Sequence, residues 1–302
     1  MGDVDAKLMA RAIELAQGGD PSPNPHVGCV VADGATIVAE AFHQAAGMDH
    51  AEVAALRAAG ESARGKTLYV TLEPCNHEGK TPPCVDAILA AGIQRVVIGC
   101  ADPNPTVPGG GAQRLRDAGV EVVVGVLEKD ARGVIRPWVK YITEAASFVA
   151  IKLGVSLDGR IATRTGASKW ITCPESRTRV QALRARHDAV MVGINTVLAD
   201  DPRLTVRDIP GRSPVRVIVD SKLRLPVSSQ LVQGAREVPT CVITTAEGPR
   251  SAEEELTEAG VSVIRVATPA EGRCDMRVAL KELAAREVVS VLCEGGAELA
   301  GS

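Results

Sequence analysis

The chain has 302 residues, of which 45% are hydrophobic, and at about 150 residues per domain this length predicts two globular domains with large apolar cores. Its formal net charge is −3 and aromatic residues make up 2% of it, so it lacks the basic stripe and the stacking platforms expected of a nucleic-acid-binding protein. The sequence has no apolar run of about 18 residues, and its N-terminus has no signal-peptide pattern. We therefore expect a cytoplasmic protein with neither a nucleic-acid nor a membrane partner.

The eight cysteines fall into two groups. Cys75 and Cys84 flank a polar, proline-containing segment. The other six are scattered through apolar surroundings and are predicted to be reduced core residues of a protein in a reducing compartment, so no disulfide is expected. They are Cys29, Cys100, Cys173, Cys241, Cys274 and Cys293.

The N-terminal segment predicts a helix followed by a β-hairpin. Residues 5–17 have apolar side chains at helical spacing, and a pair of glycines ends the helix. Three prolines then predict an extended loop that contains Asn24. Two strands follow, residues 27–32 and 36–42, joined by an Asp-Gly dipeptide that is typical of a tight hairpin turn. The hairpin is expected to direct His43 towards the next helix.

One histidine and two cysteines lie at the boundaries of predicted elements. His50 begins a predicted helix, Cys75 follows a buried strand over residues 67–72, and Cys84 opens a helix over residues 85–91. A thiolate is favoured at a helix N-terminus by the helix dipole. One imidazole and two thiolates make three protein ligands, the number found in catalytic zinc sites, whereas structural sites have four. The pattern therefore predicts a zinc site with an open position.

A carboxylate, Glu52, lies two residues after His50. Zinc lowers the pKa of a water molecule to about 7, and Glu52 could take its proton and pass it to a ring nitrogen or a departing amine. His-x-Glu followed by Pro-Cys-x-x-Cys is the signature of zinc deaminases, although here eight residues separate Cys75 from Cys84. The pattern favours hydrolytic deamination. On the residues alone, a structural zinc knot or merely buried cysteines stay as alternatives.

The next segment predicts a sheet that is partly parallel. A strand over residues 95–99 completes a strand–helix–strand unit, and such units have parallel strands. Asp102 and Asn104 follow this strand directly. They are expected at the C-terminal edge of the sheet, where ligands bind in open α/β sheets.

A domain boundary is predicted after residue 146. Residues 120–124 form a predicted strand, and residues 127–143 form a predicted helix that a Gly-Val-Ile-Arg-Pro segment interrupts. A short segment of small residues follows, and a new core strand begins after it. The chain is accordingly divided into domains 1–146 and 147–302.

The second half indicates an α/β domain because predicted strands alternate with predicted helices. The Gly295-Gly296 pair joins a strand to a helix and would let a pyrophosphate approach the backbone. Ser221, Lys222 and Arg224 could hold a 2′-phosphate, which would mark NADP rather than NAD. On the residues alone, a plain turn explains each segment as well. The predicted strands are 148–155, 189–192, 215–220, 240–244, 261–266 and 290–293, and the predicted helices include 174–185 and 276–286.

These motifs together resemble a known family. His50-Ala51-Glu52 and residues 73–84 resemble the deaminase half of the bifunctional deaminase-reductases of riboflavin biosynthesis, in which the long insertion between the cysteines is characteristic. Residues 151–162, 168–172 and 193–207 resemble the reductase half, in family order. The resemblance covers nearly the whole chain. It implies an α/β protein with an N-terminal cytidine-deaminase-like mixed-sheet domain followed by a dihydrofolate-reductase-like α/β domain.

For the N-terminal domain the resemblance implies hydrolytic deamination of 2,5-diamino-6-(5-phosphoribosylamino)pyrimidin-4(3H)-one. His50, Cys75 and Cys84 would bind Zn²⁺, and Glu52 would be the catalytic proton carrier. The implied substrate contacts are Asn24, His43, His77, Lys80, Asp102 and Asn104.

For the C-terminal domain the resemblance implies reduction of the ribosyl side chain of that product to ribityl, with NADPH as cofactor. The implied substrate contacts are Lys152, Ser168, Arg184, Leu204, Arg207 and Glu294. The implied cofactor contacts are Gly154, Trp170, Thr196, Asp200, Ser221, Gly295 and Gly296. The expected partner is therefore a small phosphorylated pyrimidine.

Two other functions stay open on the sequence. One is a nucleoside or tRNA deaminase fused to an unrelated α/β domain, against which the weak basic character argues. The other is a non-catalytic zinc module, in which Glu52 is a carboxylate on a helix surface. Zinc content together with ammonia release from the pyrimidine phosphate would separate the three.

The reductase domain is expected to be incomplete at its C-terminus. The family continues past Gly296, whereas this sequence stops at Ser302, and a helix of about six residues is marginal without packing partners. We therefore expect this chain to deaminate but to reduce poorly or not at all. An unpaired sheet edge would favour aggregation or self-association, so the oligomeric state is open and includes a homo-oligomer.

Overall fold

The computed structural model describes residues 3–78, 82–105, 110–268 and 272–302. The chain folds into two compact units, Met1–Glu144 and Ala145–Ser302. The first contains a five-stranded sheet and the second a six-stranded sheet. Within the described residues, no helix is both long enough and apolar enough to cross a membrane.

The first unit alternates strands and helices. Its strands are β1 (Gly28–Asp33), β2 (Thr36–Phe42), β3 (Thr67–Leu72), β4 (Arg95–Cys100) and β5 (Glu121–Val124). Its helices are α1 (Asp3–Leu15), α2 (Ala51–Ala59), α3 (Cys84–Ala90), α4 (Gly111–Asp117) and α5 (Glu128–Glu144), and a 3₁₀ turn, Gly60–Ala63, follows α2.

The sheet of the first unit is mixed, as the sequence predicts. Its strand order is β2-β1-β3-β4-β5. β1 pairs antiparallel with β2 through the predicted Asp-Gly turn and also with β3, whereas β3, β4 and β5 run parallel. Because β3 and β4 are parallel, their C-terminal ends meet at one edge of the sheet. Cys75 follows β3 and Asp102 follows β4, so both residues lie near that edge.

Helices cover both faces of this sheet. Successive side chains of a strand point to opposite faces, and in β1 both sets are apolar. Cys29 and Val31 share a buried cluster with Leu56 of α2 and Ile88 of α3, whereas Val30 packs in a cluster with residues of α1. The two helices that lie next to the predicted zinc ligands thus pack on the same core.

Helix α5 is continuous, so the predicted interruption is wrong. Pro137 lies inside the helix, where a proline costs about 3 kcal/mol relative to alanine. Ala131 and Ile135 are buried in the core of the unit, and Trp138 packs against it. Burial of this apolar face offsets the cost of the proline, which the local sequence does not reveal.

A partly buried ion pair joins α1 to the sheet. Arg95 on β4 donates from Nη1 and Nη2 to the two carboxylate oxygens of Asp5 at 2.8 and 2.9 Å, and the Tyr69 hydroxyl donates to Asp5 Oδ1 at 2.9 Å. These hydrogen bonds, first those from Arg95, hold the pKa of Asp5 below its usual value. A carboxyl with a lowered folded-state pKa contributes stability above its unfolded pKa, and that stability is lost as the pH falls through the folded pKa.

Asp5→Asn is expected to lower the free energy of unfolding of the first unit by about 2 kcal/mol at pH 7, because hydrogen bonds to a charged group are lost. The difference from the wild type should shrink at an acidic pH below the lowered pKa of Asp5, where the wild-type carboxyl also becomes protonated. Urea denaturation at both pH values, in chelator throughout, measures it. Asp3→Asn on the same helix is the control, since the Asp3–Lys7 pair is mostly exposed and should contribute less than about 1 kcal/mol. A pH-independent difference would show that another property of Asn at position 5 is responsible.

The second unit is also built of alternating strands and helices. Its strands are β6 (Phe148–Ile151), β7 (Ala189–Gly193), β8 (Val215–Val219), β9 (Thr240–Thr244), β10 (Ser262–Arg265) and β11 (Ser290–Cys293). Its helices are α6 (Pro174–Ala185), α7 (Ile194–Asp200), α8 (Gln230–Gln233), α9 (Arg250–Glu258), α10 (Met276–Ala284) and α11 (Ala297–Ala300).

The six strands of this unit lie in the order β10-β9-β8-β7-β11-β6, and every neighbouring pair is parallel. Parallel sheets have both faces covered, so their strands are continuous apolar runs. Ala189 to Val192 in β7 and all of β9 and β11 are buried accordingly. The turns after β7, β8 and β11 meet at the C-terminal edge of the sheet.

Strand β6 is shorter than predicted. The sequence predicts a strand over residues 148–155, but β6 ends at Ile151, opposite Cys293, the last residue of β11. Lys152 still donates its N–H to the Cys293 carbonyl at 2.9 Å. Among the described residues, β11 is the sole sheet neighbour of β6. The strand therefore ends where its partner ends, although the apolar pattern continues.

Candidate active sites

Three side chains with metal-binding atoms meet at one edge of the first sheet. His50 is the extended residue that caps α2, and Cys84 is the first residue of α3. His50 Nδ1 lies 3.2 Å from Cys84 Sγ and 3.6 Å from Cys75 Sγ. Among the described residues, this is the sole group of three or more His, Cys, Asp or Glu side chains close enough to hold one metal ion.

The spacing of these atoms fits zinc. A tetrahedral zinc ion with bonds of about 2.0 Å to nitrogen and about 2.3 Å to sulfur holds its ligand atoms roughly 3.5 to 3.8 Å apart. The three ligand atoms all lie within 4.8 Å of one another, so small adjustments would bring them to that geometry. Three protein ligands leave the fourth zinc position for water or substrate.

The pKa values of the two neighbouring cysteines are shifted in opposite directions. The Cys84 thiol donates to Cys75, and together with the His50 imidazole this lowers the pKa of Cys75 to about 4, against the effect of burial. Cys84 keeps the proton, and its pKa is raised by that hydrogen bond and by burial. The pKa of His50 is also raised, first by its hydrogen bond to Cys75. Cys75 therefore has the lower pKa of the two candidate cysteine ligands.

Glu52 is the buried carboxyl beside the candidate metal ligands. It lies in the first turn of α2 and is only 4% exposed. Burial raises the pKa of Glu52, and the neighbouring His50 partly opposes this shift. A carboxyl whose pKa is shifted towards neutrality can both accept and return a proton. The alternative in which Glu52 is a carboxylate on a helix surface is wrong, since the side chain is buried.

Asn24 and His43 are held next to the metal ligands. The His43 ring is buried and lies 5.3 Å, centroid to centroid, from the His50 ring. His43 Nδ1 is 3.0 Å from the Asp49 carbonyl, which can only accept, so this nitrogen carries the hydrogen. His43 Nε2 then accepts from Asn24 Nδ2 at 3.0 Å. These contacts determine the histidine tautomer and the orientation of the Asn24 amide.

The remaining predicted substrate contacts of this unit lie on two loops. Asp102 and Asn104 follow β4, and Asp102 Oδ1 accepts from the Asn104 N–H at 2.9 Å. Burial raises the pKa of Asp102. His77 is exposed on the segment between the two cysteines. Lys80 lies outside the described residues.

Two side chains that support this region were missed by the sequence analysis. Arg114 on α4 donates to Asn76 Oδ1 at 2.8 Å and to Asp86 Oδ1 at 2.5 Å, so it contacts a residue shortly after each of the two cysteines. Glu73 accepts hydrogen bonds from the backbone of the loop after β4. Glu73 belongs to the deaminase motif of residues 73–84, but no local pattern indicated its partners.

The second unit has a cavity of about 780 Å³ at the C-terminal ends of β7 and β8. It brings together Thr196, Ser221 and Gly296, three of the predicted cofactor contacts. Gly295 directly precedes Gly296 but is buried. The described residues that line the cavity do not include Gly154, Trp170 or Asp200. Asp200 instead forms an ion pair with Lys169 at 2.7 Å, and Trp170, 73% exposed, is stacked by Arg177.

Of the residues that the structure describes, three with cationic side chains line this cavity: Lys222, Arg224 and Arg273. Arg224 Nη2 donates to Asn195 Oδ1 at 3.0 Å, which holds the guanidinium at the cavity wall. The sequence analysis proposed Lys222 and Arg224 but missed Arg273 and Asn195. Asn195 lies in α7, directly before the predicted contact Thr196. Arg273 lies outside every predicted cofactor pattern, and only the folded chain brings it to this cavity.

The predicted substrate contacts of the second unit have different environments. Arg184 and Glu294 form an ion pair in which Arg184 Nε lies 2.6 Å from Glu294 Oε1, and both side chains are about one-tenth exposed. Leu204 is buried at 3% exposure. The others are Lys152, which is half-buried after β6, and the exposed Ser168 and Arg207. Their roles stay predictions.

Two family models match the chain. The cytidine and deoxycytidylate deaminase zinc-binding region matches residues 3–100, and the RibD C-terminal domain matches residues 147–302. Similar proteins include the riboflavin biosynthesis protein RibD of Aquifex aeolicus, 45% identical over 97% of this chain and 81% of that protein. RibD of Escherichia coli is 42% identical over 99% of this chain and 83% of that protein.

Solved structures are similar to nearly the whole chain. One is a diaminohydroxyphosphoribosylaminopyrimidine deaminase/5-amino-6-(5-phosphoribosylamino)uracil reductase from Thermotoga maritima, with a TM-score of 0.85 and 41% identity, covering 98% of this chain and 82% of that one. Another is RibD of Acinetobacter baumannii, with a TM-score of 0.84 and 40% identity, covering 98% of this chain and 82% of that one.

Proposed function

The chain belongs to the RibD family of riboflavin-biosynthesis proteins, and on that premise we propose that its first unit is a zinc-dependent pyrimidine deaminase and its second an NADPH-dependent reductase. The observation that carries the first half is the grouping of His50, Cys75 and Cys84 beside a buried carboxyl, Glu52. We assign the two activities to domains 1–146 and 147–302.

The proposed first reaction replaces the 2-amino group of 2,5-diamino-6-(5-phosphoribosylamino)pyrimidin-4(3H)-one by oxygen from water and releases ammonia. Zinc held by His50, Cys75 and Cys84 would act as a Lewis acid that makes water nucleophilic near neutral pH. Glu52 would take one proton of that water and deliver it to the ring nitrogen, and would then carry the second proton to the amine, which leaves as ammonia. Its raised pKa suits a group that must carry a proton in both directions.

The proposed pyrimidine site is completed by polar groups around the ligands. Asn24 is oriented by His43, so its amide can accept from or donate to the edge of the ring. Asp102 and Asn104 lie on the neighbouring loop. His77 and Lys80 belong to the segment between the cysteines, where a cation would favour the substrate phosphate. Each of these assignments is carried over from the family pattern onto residues of this chain.

The proposed second reaction reduces the ribosyl side chain of the deaminated product to ribityl. NADPH, when bound, supplies the hydride. We place the cofactor in the cavity of about 780 Å³, a size typical of small-molecule sites. Ser221, Lys222 and Arg224 would hold the 2′-phosphate, and the turn at Gly296 would approach the pyrophosphate.

The proposal is tested by measuring zinc content, ammonia release from the pyrimidine phosphate and NADPH oxidation on one preparation. We expect one zinc ion per chain and ammonia release that chelator abolishes and added zinc restores. NADPH oxidation that depends on the deaminated product would establish the second activity for this chain. Bound zinc without ammonia release would identify a non-catalytic zinc module. Release of ammonia from free cytidine or tRNA, but not from the pyrimidine phosphate, would identify a different deaminase.

We also propose the cytoplasm as the compartment. None of the eight cysteines forms a disulfide, as is usual for proteins of a reducing compartment. Five of the six predicted core cysteines are buried, but the prediction is wrong for Cys173, which is exposed. The two candidate zinc ligands Cys75 and Cys84 can bind the metal only while they stay reduced, because the thiolate is the ligand. Fractionation of cells that produce the chain, with thiol labelling of each fraction, checks this assignment.

A further inference from the structure

Glu73 connects three pieces of backbone around the candidate zinc group. Its Oε2 accepts from the Asp102 N–H at 3.3 Å, and its Oε1 accepts from the Gly110 N–H at 3.3 Å and the Ala112 N–H at 2.9 Å. The residue itself lies two positions before Cys75. The Glu73 carboxylate therefore links the segment that contains Cys75 to the segment that contains Asp102.

The register of the sheet places Glu73 at this junction. Leu72 is paired with Cys100 at the parallel ends of β3 and β4, and the Glu73 N–H donates to the Cys100 carbonyl at 2.9 Å. The side chain of the first residue after β3 can then reach the amides that follow β4. It also reaches the first turn of α4, where Gly111 approaches so closely that a Cβ there would lie 2.0 Å from the Pro74 carbonyl oxygen.

Arg114 makes a second set of contacts between helix α4 and the segments that carry the two cysteines. Arg114 on α4 donates to Asn76 and to Asp86, which lie just after Cys75 and just after Cys84. Helix α4 is thus bound to both thiolate-bearing segments. Of these two sets of hydrogen bonds, that of Glu73 includes the Asp102 amide and that of Arg114 does not. Hydrogen bonds from N–H groups to a carboxylate are stronger than those between neutral groups, and the shortest of the three to Glu73 is that from Ala112 at 2.9 Å.

We propose that Glu73 is a positioning residue of the deaminase, which sets the Asp102–Asn104 segment relative to the ligand Cys75. It does so by binding the Asp102 amide, without contact with the reacting atoms. The proposal rests on the proposed deaminase function, because it assigns the substrate to the space between these two segments. It predicts that loosening the Asp102 amide weakens substrate binding more than the chemical step.

Glu73→Gln tests this because an amide offers one acceptor oxygen instead of two. The orientation that keeps more bonds directs the oxygen to the Gly110 and Ala112 amides, so the NH₂ group faces the Asp102 N–H and cannot accept from it. We expect one zinc ion per chain, a KM for the pyrimidine phosphate raised at least about tenfold, and a kcat lowered less than about threefold. Glu121→Gln, an exposed carboxylate of the same unit, is the control and should change neither constant.

Hydrogen exchange gives a readout that needs no activity. In Glu73→Gln the Asp102 amide should exchange at least about tenfold faster than in the wild type, whereas the Ala112 amide should keep its protection. Unchanged Asp102 exchange, or a KM within about twofold of wild type with zinc retained, overturns the proposal. If the variant fails to fold, the proposal is tested on the wild type alone. A wild-type Asp102 amide that exchanges as fast as an amide of an open loop overturns the proposal as well. A wild type without ammonia release would instead refute the deaminase function, while the exchange rates would still be measurable.

Discussion

Glu52→Gln is expected to retain one zinc ion per chain and to release ammonia slower than the wild type by a factor of about 10² or more, the usual contribution of a general acid–base group. Gln has nearly the same shape as Glu but cannot carry the proton. Zinc should remain because the candidate ligands are His50, Cys75 and Cys84. The measurement is kcat for ammonia release, with zinc content determined on the same sample.

Two comparisons make this result specific. Glu61→Gln, an exposed carboxylate in the 3₁₀ turn that follows the same helix, should leave kcat and zinc content unchanged. Cys84→Ser should instead lose the metal, because it removes one of three ligands. Near-normal ammonia release by Glu52→Gln would remove Glu52 from its proposed role. Retention of zinc by Cys84→Ser would exclude Cys84 as a ligand.

The grouping of His50, Cys75 and Cys84 could be predicted because a local sequence pattern marks the position of each residue. His50 and Cys84 lie at helix starts that the apolar spacing marks, and Cys75 follows a strand of β-branched and apolar residues. The contacts of Glu73 could not be predicted in this way. They depend on the pairing of Leu72 with Cys100, and the apolar runs of two buried parallel strands fit more than one register.

In the second unit, too, local patterns predict some positions, whereas others depend on strand pairing and tertiary packing. The predicted fold class, a mixed-sheet deaminase-like domain followed by a reductase-like α/β domain, is confirmed. Thr196 and Ser221 follow adjacent strands, so the order of β7 and β8 brings them to one cavity. Arg273 reaches that cavity from a segment far along the chain, and its position follows only from tertiary packing. The length of β6 likewise depends on its partner strand and not on its own sequence.

Arg184→Met is expected to destabilise the second unit by about 3–5 kcal/mol, the usual cost of removing one partner from a buried ion pair. The change leaves the Glu294 carboxylate buried without its two hydrogen bonds, at 2.6 and 3.0 Å from Arg184 nitrogens, and leaves the Thr205 carbonyl without its 2.9 Å donor. Native-state hydrogen exchange of the amides in β7 and β11 measures the free energy of unfolding of this unit alone. Arg179→Met on the exposed side of the same helix is the matched control and should cost less than about 1 kcal/mol.

The double variant Arg184→Met/Glu294→Leu separates a structural pair from a substrate site. Without a buried charge, it should recover much of the stability that Arg184→Met loses, since replacing both members of a buried pair by apolar residues is often nearly neutral. The family pattern assigns both residues to the substrate, and the two roles give opposite results. If Arg184→Met changes stability by less than about 1 kcal/mol but abolishes reduction with NADPH binding intact, the pair serves the substrate and its contribution to folding is minor.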